Sequence, residues 1–187
     1  MSAYDAVIGE IVAALRARPA PDGVAVKVVA VDGPGGAGKT TLARHLAEAL
    51  GGVPVVHTDD FASPDEPLDW WPRLVAEALE PLAKNRPARF ARTDWERSGV
   101  ERTIVVEPAE FVVLEGVSAS REAFRPFLTY AIWVETPRDL RLRRGLERDG
   151  EDARAEWERW MAEEDDYVAR ERPHERADRV VVGDEPG

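Results

Sequence analysis

The feature that most constrains the fold of this chain is a glycine-rich segment at residues 33–40. It reads Gly-Pro-Gly-Gly-Ala-Gly-Lys-Thr and satisfies the pattern G-x-x-x-x-G-K-[ST]. It follows a run rich in β-branched residues at 24–31 and precedes a helical pattern at 40–50. A strand, a glycine-rich turn and a helix in that order form a loop whose backbone N–H groups converge on phosphate. The sequence therefore predicts a nucleoside-triphosphate site between the first strand and the next helix.

The rest of the chain alternates short apolar runs with helical patterns. We predict further strands at residues 53–58, 103–106, 111–114, 131–134 and 180–182, and helices at 2–18, 70–83, 137–148 and 153–170. Residues 85–99 are expected to be irregular. This alternation predicts an α/β fold, a three-layer, doubly wound and mostly parallel sheet. We expect one domain over residues 1–187, with a small mobile lid at about 141–152 and an insertion at about 85–107.

Composition narrows the class of partner. The chain has 187 residues, 25 basic and 36 acidic side chains, and a formal net charge of −11. Because polyanions bind basic surfaces, we expect no nucleic-acid partner and no membrane partner. The absence of cysteine excludes disulfides, thiol catalysis and zinc–thiolate sites. With no segment typical of a signal or a membrane span, we expect a cytoplasmic protein, and a homo-oligomer stays open.

The glycine-rich loop has a defined chemistry. Its Lys39 ammonium reaches the β- and γ-phosphates, and the Thr40 hydroxyl can ligate Mg²⁺ that bridges the same oxygens. We therefore expect ATP and Mg²⁺ as cofactors. The residues expected to contact the nucleotide are Gly33, Gly35, Gly36, Ala37, Gly38, Lys39, Thr40 and Thr41.

Acidic residues follow two of the predicted strands, at the edge where parallel sheets bind ligands. Asp59 and Asp60 follow the second strand, and one of them can orient an acceptor hydroxyl and take its proton. Phe61 can pack beneath that acceptor, and His57 is expected to be structural. Glu115 ends another apolar strand, where it can serve Mg²⁺. A solvated turn or a helix cap remains the alternative for these acids.

Arginines are concentrated in the predicted lid. Five of them lie within eleven residues, and 141, 144 and 148 share one helical face through i+3 and i+4 spacing. Arginine stabilises the charge that spreads over the equatorial oxygens during phosphoryl transfer, so Arg144 and Arg148 are candidate catalytic groups and Arg141 a candidate substrate contact. A solvated helix paired with Asp139 and Glu147 is the alternative.

Five segments in order resemble the uridine kinase branch of the P-loop kinases. They are residues 31–41, 58–61, 93–95, 112–116 and 141–149, and a tail at 176–183 also matches. The resemblance covers about residues 24–183. It implies a P-loop NTPase kinase fold with a small lid, and it makes the region at 85–107 an acceptor-side insertion.

The resemblance also implies roles for single residues. Asp59 becomes the catalytic base, and Glu115 the acid at the end of the later strand. Asp94 and Trp95 line the nucleoside pocket, and Asp69 contacts the ribose hydroxyls. The implied reaction is transfer of the γ-phosphoryl group of Mg·ATP to a hydroxyl of a small molecule, with a nucleoside or nucleoside-like acceptor.

Two departures leave the acceptor open. Where uridine kinases have a pocket tyrosine this chain has Thr93, and where they have a base-reading histidine it has Arg97 or Ser98. A nucleoside monophosphate, a sugar or an antibiotic are alternative acceptors. A nucleoside monophosphate would need basic residues in the acceptor pocket, and arginines at 89, 92 and 97 are consistent with such an acceptor. Outside kinases, the alternatives are a regulatory nucleotide-binding switch and an interaction protein with a vestigial loop.

Overall fold

The framework of the molecule is a parallel sheet of five strands. The computed structural model describes residues 3–61, 70–93 and 101–183. The strands lie in the order β2-β5-β1-β6-β7, and every neighbouring pair is parallel. They are β1 (Lys27–Asp32), β2 (Val55–His57), β5 (Phe111–Glu115), β6 (Leu128–Glu135) and β7 (Arg179–Val182). The predicted doubly wound, mostly parallel α/β sheet is confirmed.

Helices cover both faces of the sheet and follow the predicted positions closely. They are α1 (Ala3–Ala17), α2 (Lys39–Ala49), α3 (Trp71–Leu74), α4 (Glu80–Ala83), α5 (Arg138–Asp149), α6 (Arg154–Glu171) and α7 (Pro173–Arg176). A π-helical turn, Val75–Leu79, joins α3 to α4, and short 3₁₀ turns occupy Thr58–Asp60, Glu122–Phe127 and Glu151–Ala153. Among the described residues, no helix has both the length and the apolarity needed to cross a membrane.

The central strands are apolar throughout because both of their faces are buried. Val28 and Ala30 of β1 belong to one hydrophobic cluster, and Val29 and Val31 belong to the other. Successive side chains of a strand point to opposite faces, so each face of the sheet receives alternate residues. The first cluster includes Leu74 of α3, and the second includes residues of α1 and α2. A continuous apolar run is what a strand covered on both faces requires.

The expectation of irregular structure at residues 85–99 is wrong for its first half. Strand β3 (Ala88–Thr93) pairs antiparallel with β4 (Glu101–Val106) in a separate two-stranded sheet. Ala88 and Phe90 are buried, whereas Arg89 between them is exposed. This alternation is typical of a strand, but the arginines interrupt the apolar run by which we would have predicted it.

Candidate active site

The glycine-rich loop lies at the carboxyl edge of the sheet, between β1 and α2. Gly36 has a φ of 74°, and a Cβ atom there would come within 2.7 Å of the Arg141 carbonyl oxygen. Gly38 also has a positive φ, 96°, where it begins α2. Glycine at both positions therefore allows a backbone conformation that a side chain would oppose, and at Gly36 it also allows the close approach of Arg141. Lys39 is buried, and its Nζ donates to the Pro34 carbonyl 2.8 Å away within the same loop.

Strand register brings the first acid to this loop. Glu115 of β5 lies opposite Val31 of β1 on one side and His57 of β2 on the other. Its carboxylate is buried, and its Oε1 accepts a hydrogen bond of 3.1 Å from Thr40 Oγ1. A hydroxyl and a carboxylate are oxygen donors of the type that Mg²⁺ prefers, with phosphate and water completing the shell. The described residues contain no cluster of three or more metal-binding side chains. Thr40 and Glu115 would supply only part of a metal's ligand shell, so this pair fits a metal that also contacts a bound phosphate.

His57 is in contact with that carboxylate. Its Nδ1 lies 2.7 Å from Glu115 Oε2, and 44% of its side chain is exposed. The hydrogen bond with Glu115 raises the pKa of His57, against the effect of partial burial. Burial would raise the pKa of Glu115, but the His57 hydrogen bond and the charge of Lys39 outweigh it and lower that pKa. The carboxylate is therefore ionised, and His57, predicted to be structural, borders the site.

The two neighbouring aspartates have different surroundings. Asp59 is exposed on the 3₁₀ turn after β2. Asp60 is buried, and its Oδ1 lies 3.2 Å from Arg92 Nε on β3. Burial raises the pKa of Asp60, and the Arg92 charge opposes the shift. Phe61 is also buried and packs against Phe90, with the ring centroids 4.4 Å apart and the ring planes at 36°. Of the two acids, Asp59 is the one accessible to a ligand.

The arginines on the predicted face of α5 have different partners. Arg144 Nη1 donates to the Gly36 carbonyl at 3.2 Å, so this guanidinium touches the loop. Arg141 is buried instead, with its Nε donating to the Thr136 carbonyl at 3.1 Å. Arg148 pairs with Asp149 and lies over the Trp157 ring, 5.5 Å from its centroid. The structure thus brings Arg144 to the loop but engages Arg141 within the protein.

The charge of Arg148 also interacts with that of Asp59, the expected base. Its hydrogen bond to Asp149 raises its pKa, and the negative charge of Asp59 adds to that shift. Thr41 is exposed on the first turn of α2. Three predicted substrate contacts, Asp69, Asp94 and Trp95, lie outside the described residues.

Residue-by-residue reading of the sequence missed a buried network beneath the loop. Asp32 accepts hydrogen bonds from the Gly33 N–H at 2.7 Å, from the Ser120 hydroxyl at 2.6 Å and from the Tyr167 hydroxyl at 2.7 Å. The network fixes the point where β1 turns into the loop. A polar residue ending an apolar run is a signal that could have marked Asp32. Tyr167 is 135 residues away, and nothing in the local sequence connects the two.

Comparison with known proteins shows which sequences this chain resembles. A family model described as an AAA domain matches residues 29–169. A uridine kinase from Halobacterium salinarum is 30% identical over 166 residues, which cover 79% of this chain and 72% of the relative. A uridine kinase from Alkaliphilus metalliredigens is 28% identical, over 66% of this chain and 68% of its own.

Solved structures show the same fold. A possible uridine kinase from Bacillus stearothermophilus aligns with a TM-score of 0.70 and 23% identity, over 95% of this chain and 96% of its own. The shikimate kinase from Bacteroides thetaiotaomicron aligns with a TM-score of 0.50 and 16% identity, over 86% and 87%. At these identities the two structures support the fold alone. The sequence matches show that this chain belongs to the uridine kinase-like family of P-loop kinases.

Proposed function

We propose that this kinase transfers the γ-phosphoryl group of Mg·ATP to a hydroxyl of a nucleoside-like molecule. One observation carries the proposal. Lys39 and Thr40 of the loop, the ionised Glu115 and the exposed Asp59 lie at one edge of the sheet, at the ends of three adjacent strands. The nucleoside class of the acceptor is supported by the relatives named uridine kinase.

The residues divide the work of the reaction. Asp59 accepts the proton of the acceptor hydroxyl as its oxygen bonds to the γ-phosphorus, and the bond from that phosphorus to the β-γ bridging oxygen breaks to leave ADP. Lys39 and the loop amides hold the phosphates in line. Thr40 and Glu115 would hold Mg²⁺, which when bound neutralises charge on the phosphate oxygens. Arg144, against Gly36, can place a further positive charge at the loop.

One observation favours a second candidate, an acceptor that carries an anionic group. Arg92 of β3 stands directly opposite Arg102 of β4, on the face of the hairpin that also carries the buried Phe90. Like charges directly across a strand pair repel each other, and Asp60 reaches only Arg92 among the described ion pairs. A phosphate or carboxylate on the acceptor would relieve this repulsion. A nucleoside monophosphate or a sugar phosphate is such an acceptor.

Acceptor-dependent release of ADP tests both candidates. Each nucleoside is assayed beside its monophosphate, and each sugar beside its phosphate, so that every pair differs by one anionic group. Turnover with neutral nucleosides, lost in Asp59→Asn, is the expected result. Turnover with only the phosphorylated member of each pair would select the second candidate.

The control outcomes separate this proposal from a switch. ADP release that a protein stimulates and no small molecule stimulates would contradict kinase activity on a metabolite. A wild-type protein that binds no nucleotide at all would overturn both candidates together.

A further inference from the structure

A buried carboxylate from α6 touches the phosphate loop. Glu164 is 9% exposed, and its Oε1 accepts a hydrogen bond of 2.9 Å from the Gly35 backbone N–H. The roles proposed above for the loop, Asp59 and Glu115 do not use this residue. An acidic side chain is an unexpected partner for a loop that serves anions, because the loop amides are its phosphate ligands.

The second oxygen of the same carboxylate engages an arginine. Glu164 Oε2 lies 3.4 Å from Arg141 Nη1, and both side chains are buried. A buried ion pair is weak evidence for added stability, since the cost of removing both charges from water offsets their attraction. Its presence here therefore points to a role in arranging α5, α6 and the loop.

Glu164 and Trp157 of α6 pack closely against the loop at Gly35. A Cβ atom at Gly35 would lie 2.9 Å from Glu164 Oε1 and 3.2 Å from the Trp157 ring. Trp157 is itself buried and packs over Gly145 of α5. Because Gly35 has no side chain, the Glu164 carboxylate and the Trp157 indole can pack directly against the loop backbone.

The charges around Glu164 connect it to the phosphate site. Burial raises its pKa, whereas the Gly35 N–H and the charges of Lys39 and Arg141 lower it, and Asp165 raises it. Lys39 is the residue expected to reach the β- and γ-phosphates. A terminal phosphate and the Glu164 carboxylate would therefore share one ammonium, and two anions at one cation repel each other.

We propose that Glu164 is a positioning residue that competes with the terminal phosphate for the loop, through the Gly35 N–H and Lys39, and so sets the preference of the site between nucleoside diphosphate and triphosphate. The inference rests on the proposed function, in that it requires the loop to bind nucleotide. A triphosphate displaces the carboxylate from Gly35 and moves α6, whereas a diphosphate leaves this contact in place.

Nucleotide affinities of Glu164→Gln test the proposal, because the amide keeps the shape and the acceptor oxygen but removes the charge. Affinity for a Mg²⁺ complex of a non-hydrolysable ATP analogue should rise about fivefold, and affinity for Mg·ADP should change by less than about twofold. Asp166→Asn is the matched control, since it removes one negative charge from an exposed position on the same helix. It should leave both affinities unchanged.

Each outcome has a distinct meaning. Equal changes for the two nucleotides in Glu164→Gln, or the same change in Asp166→Asn, would overturn the inference and leave the kinase proposal intact. A wild-type protein that binds neither nucleotide would overturn the proposed function and this inference with it.

Hydrogen exchange in the wild-type protein gives a second test that needs no variant. Peptides from α6 should exchange faster with the saturating triphosphate analogue than with saturating Mg·ADP, because only the triphosphate displaces Glu164. Equal exchange in the two complexes, or slower exchange with the triphosphate, would contradict the inference even if Glu164→Gln failed to fold.

Discussion

Lys39 is a buried residue whose charged ammonium keeps a hydrogen-bond partner. It is one of three lysines among 25 basic residues, and its ammonium is enclosed by the loop, with the Pro34 carbonyl as a hydrogen-bond partner. Lysine at this position supplies a compact charge on a flexible stem, whereas arginine would present a planar fork. In the proposed reaction, this amine supplies the point charge at the transferring phosphate.

We predict that Lys39→Ala lowers kcat by about a hundredfold or more, because it removes a charge directed at the transferring group. Steady-state kinetics with the acceptor found in the screen measure the loss. Lys84→Ala is the control, since Lys84 is exposed in the turn that follows α4. Unchanged turnover in Lys39→Ala would exclude the proposed role of the loop lysine.

The two aspartates after β2 should respond differently to the same substitution. Asp59→Asn should abolish acceptor phosphorylation but keep ATP binding, because it removes the proton acceptor and no internal contact that we observe. Asp60→Asn should keep measurable turnover, because Asp60 is buried and paired with Arg92, and it should change the free energy of unfolding little, because burial already disfavours the charge that the substitution removes. Parallel measurement of kcat, nucleotide affinity and urea unfolding separates the two effects. Full activity in Asp59→Asn would move the base elsewhere.

At the scale of elements, α5 and α6 form one packed unit. Gly145 of α5 faces Trp157 of α6 so closely that a Cβ atom would overlap the indole ring. Leu146 and Met161 complete a small cluster around that ring. Contacts to Gly35 and Gly36 then dock the pair on the loop. The position of the arginines therefore depends on helix packing as well as on helix periodicity.

Gly145→Ala should push the indole out of place and lower the free energy of unfolding by about 1–3 kcal/mol, the usual cost of overpacking. It should also raise the KM for ATP, since Trp157 lies against Gly35. Urea titration and steady-state kinetics give the two values. Glu147→Ala, an exposed position on the same helix, should change neither.

Acid should weaken the α5–α6 unit through Asp149. Its carboxylate accepts hydrogen bonds from Arg148 Nε at 2.8 Å and from Trp157 Nε1 at 2.9 Å. The Arg148 hydrogen bond lowers the pKa of Asp149 below its usual 3.8. The group therefore contributes stability above that pH and loses it as pH falls through the lowered pKa.

Urea unfolding of wild-type protein and Asp149→Asn across about pH 3 to 6 checks this sign. The wild type should be the more stable at the upper end, and the difference should shrink toward the lower end. A difference that grew with acid would contradict the assignment.

Local sequence signals were sufficient for the elements with strong periodicity. Residues 24–31 and 40–50 predicted β1 and α2 to within a few residues, because an apolar run and an amphipathic pattern flank a glycine-rich loop. Strand β3 was not predicted because Arg89 and Arg92 interrupt its apolar pattern. Two hydrogen bonds were not predicted because they join residues more than 120 positions apart, namely Glu164 with Gly35 and Tyr167 with Asp32. Such contacts depend on topology, which no local pattern encodes.

At the scale of the whole molecule, the sheet separates two hydrophobic clusters. Leu74 is fully buried on one face, and Leu46 is fully buried on the other. Each cluster draws on a different set of helices, and the sheet strands contribute to both. The two sides are therefore connected mainly through the backbone of the sheet.

Truncation of either leucine should cost about 2–5 kcal/mol of unfolding free energy, since each substitution leaves a cavity in a closed core. In the double variant Leu46→Ala/Leu74→Ala the two losses should add to within about 0.5 kcal/mol, because the two leucines belong to different clusters on opposite faces of the sheet. Denaturant titration of the four proteins measures the coupling. A much larger deviation would show that the sheet transmits strain between its faces.

The hydrogen bond between Tyr167 and Asp32 has a consequence for biosynthesis. Residues 33–40 leave the ribosome before Tyr167, but the turn that they form rests on a hydroxyl that is translated 135 residues after Asp32. Long-range closure of this kind is the slow part of folding for a sheet of non-local strands. We therefore expect the growing chain to acquire nucleotide affinity late, only once α6 has emerged and docked.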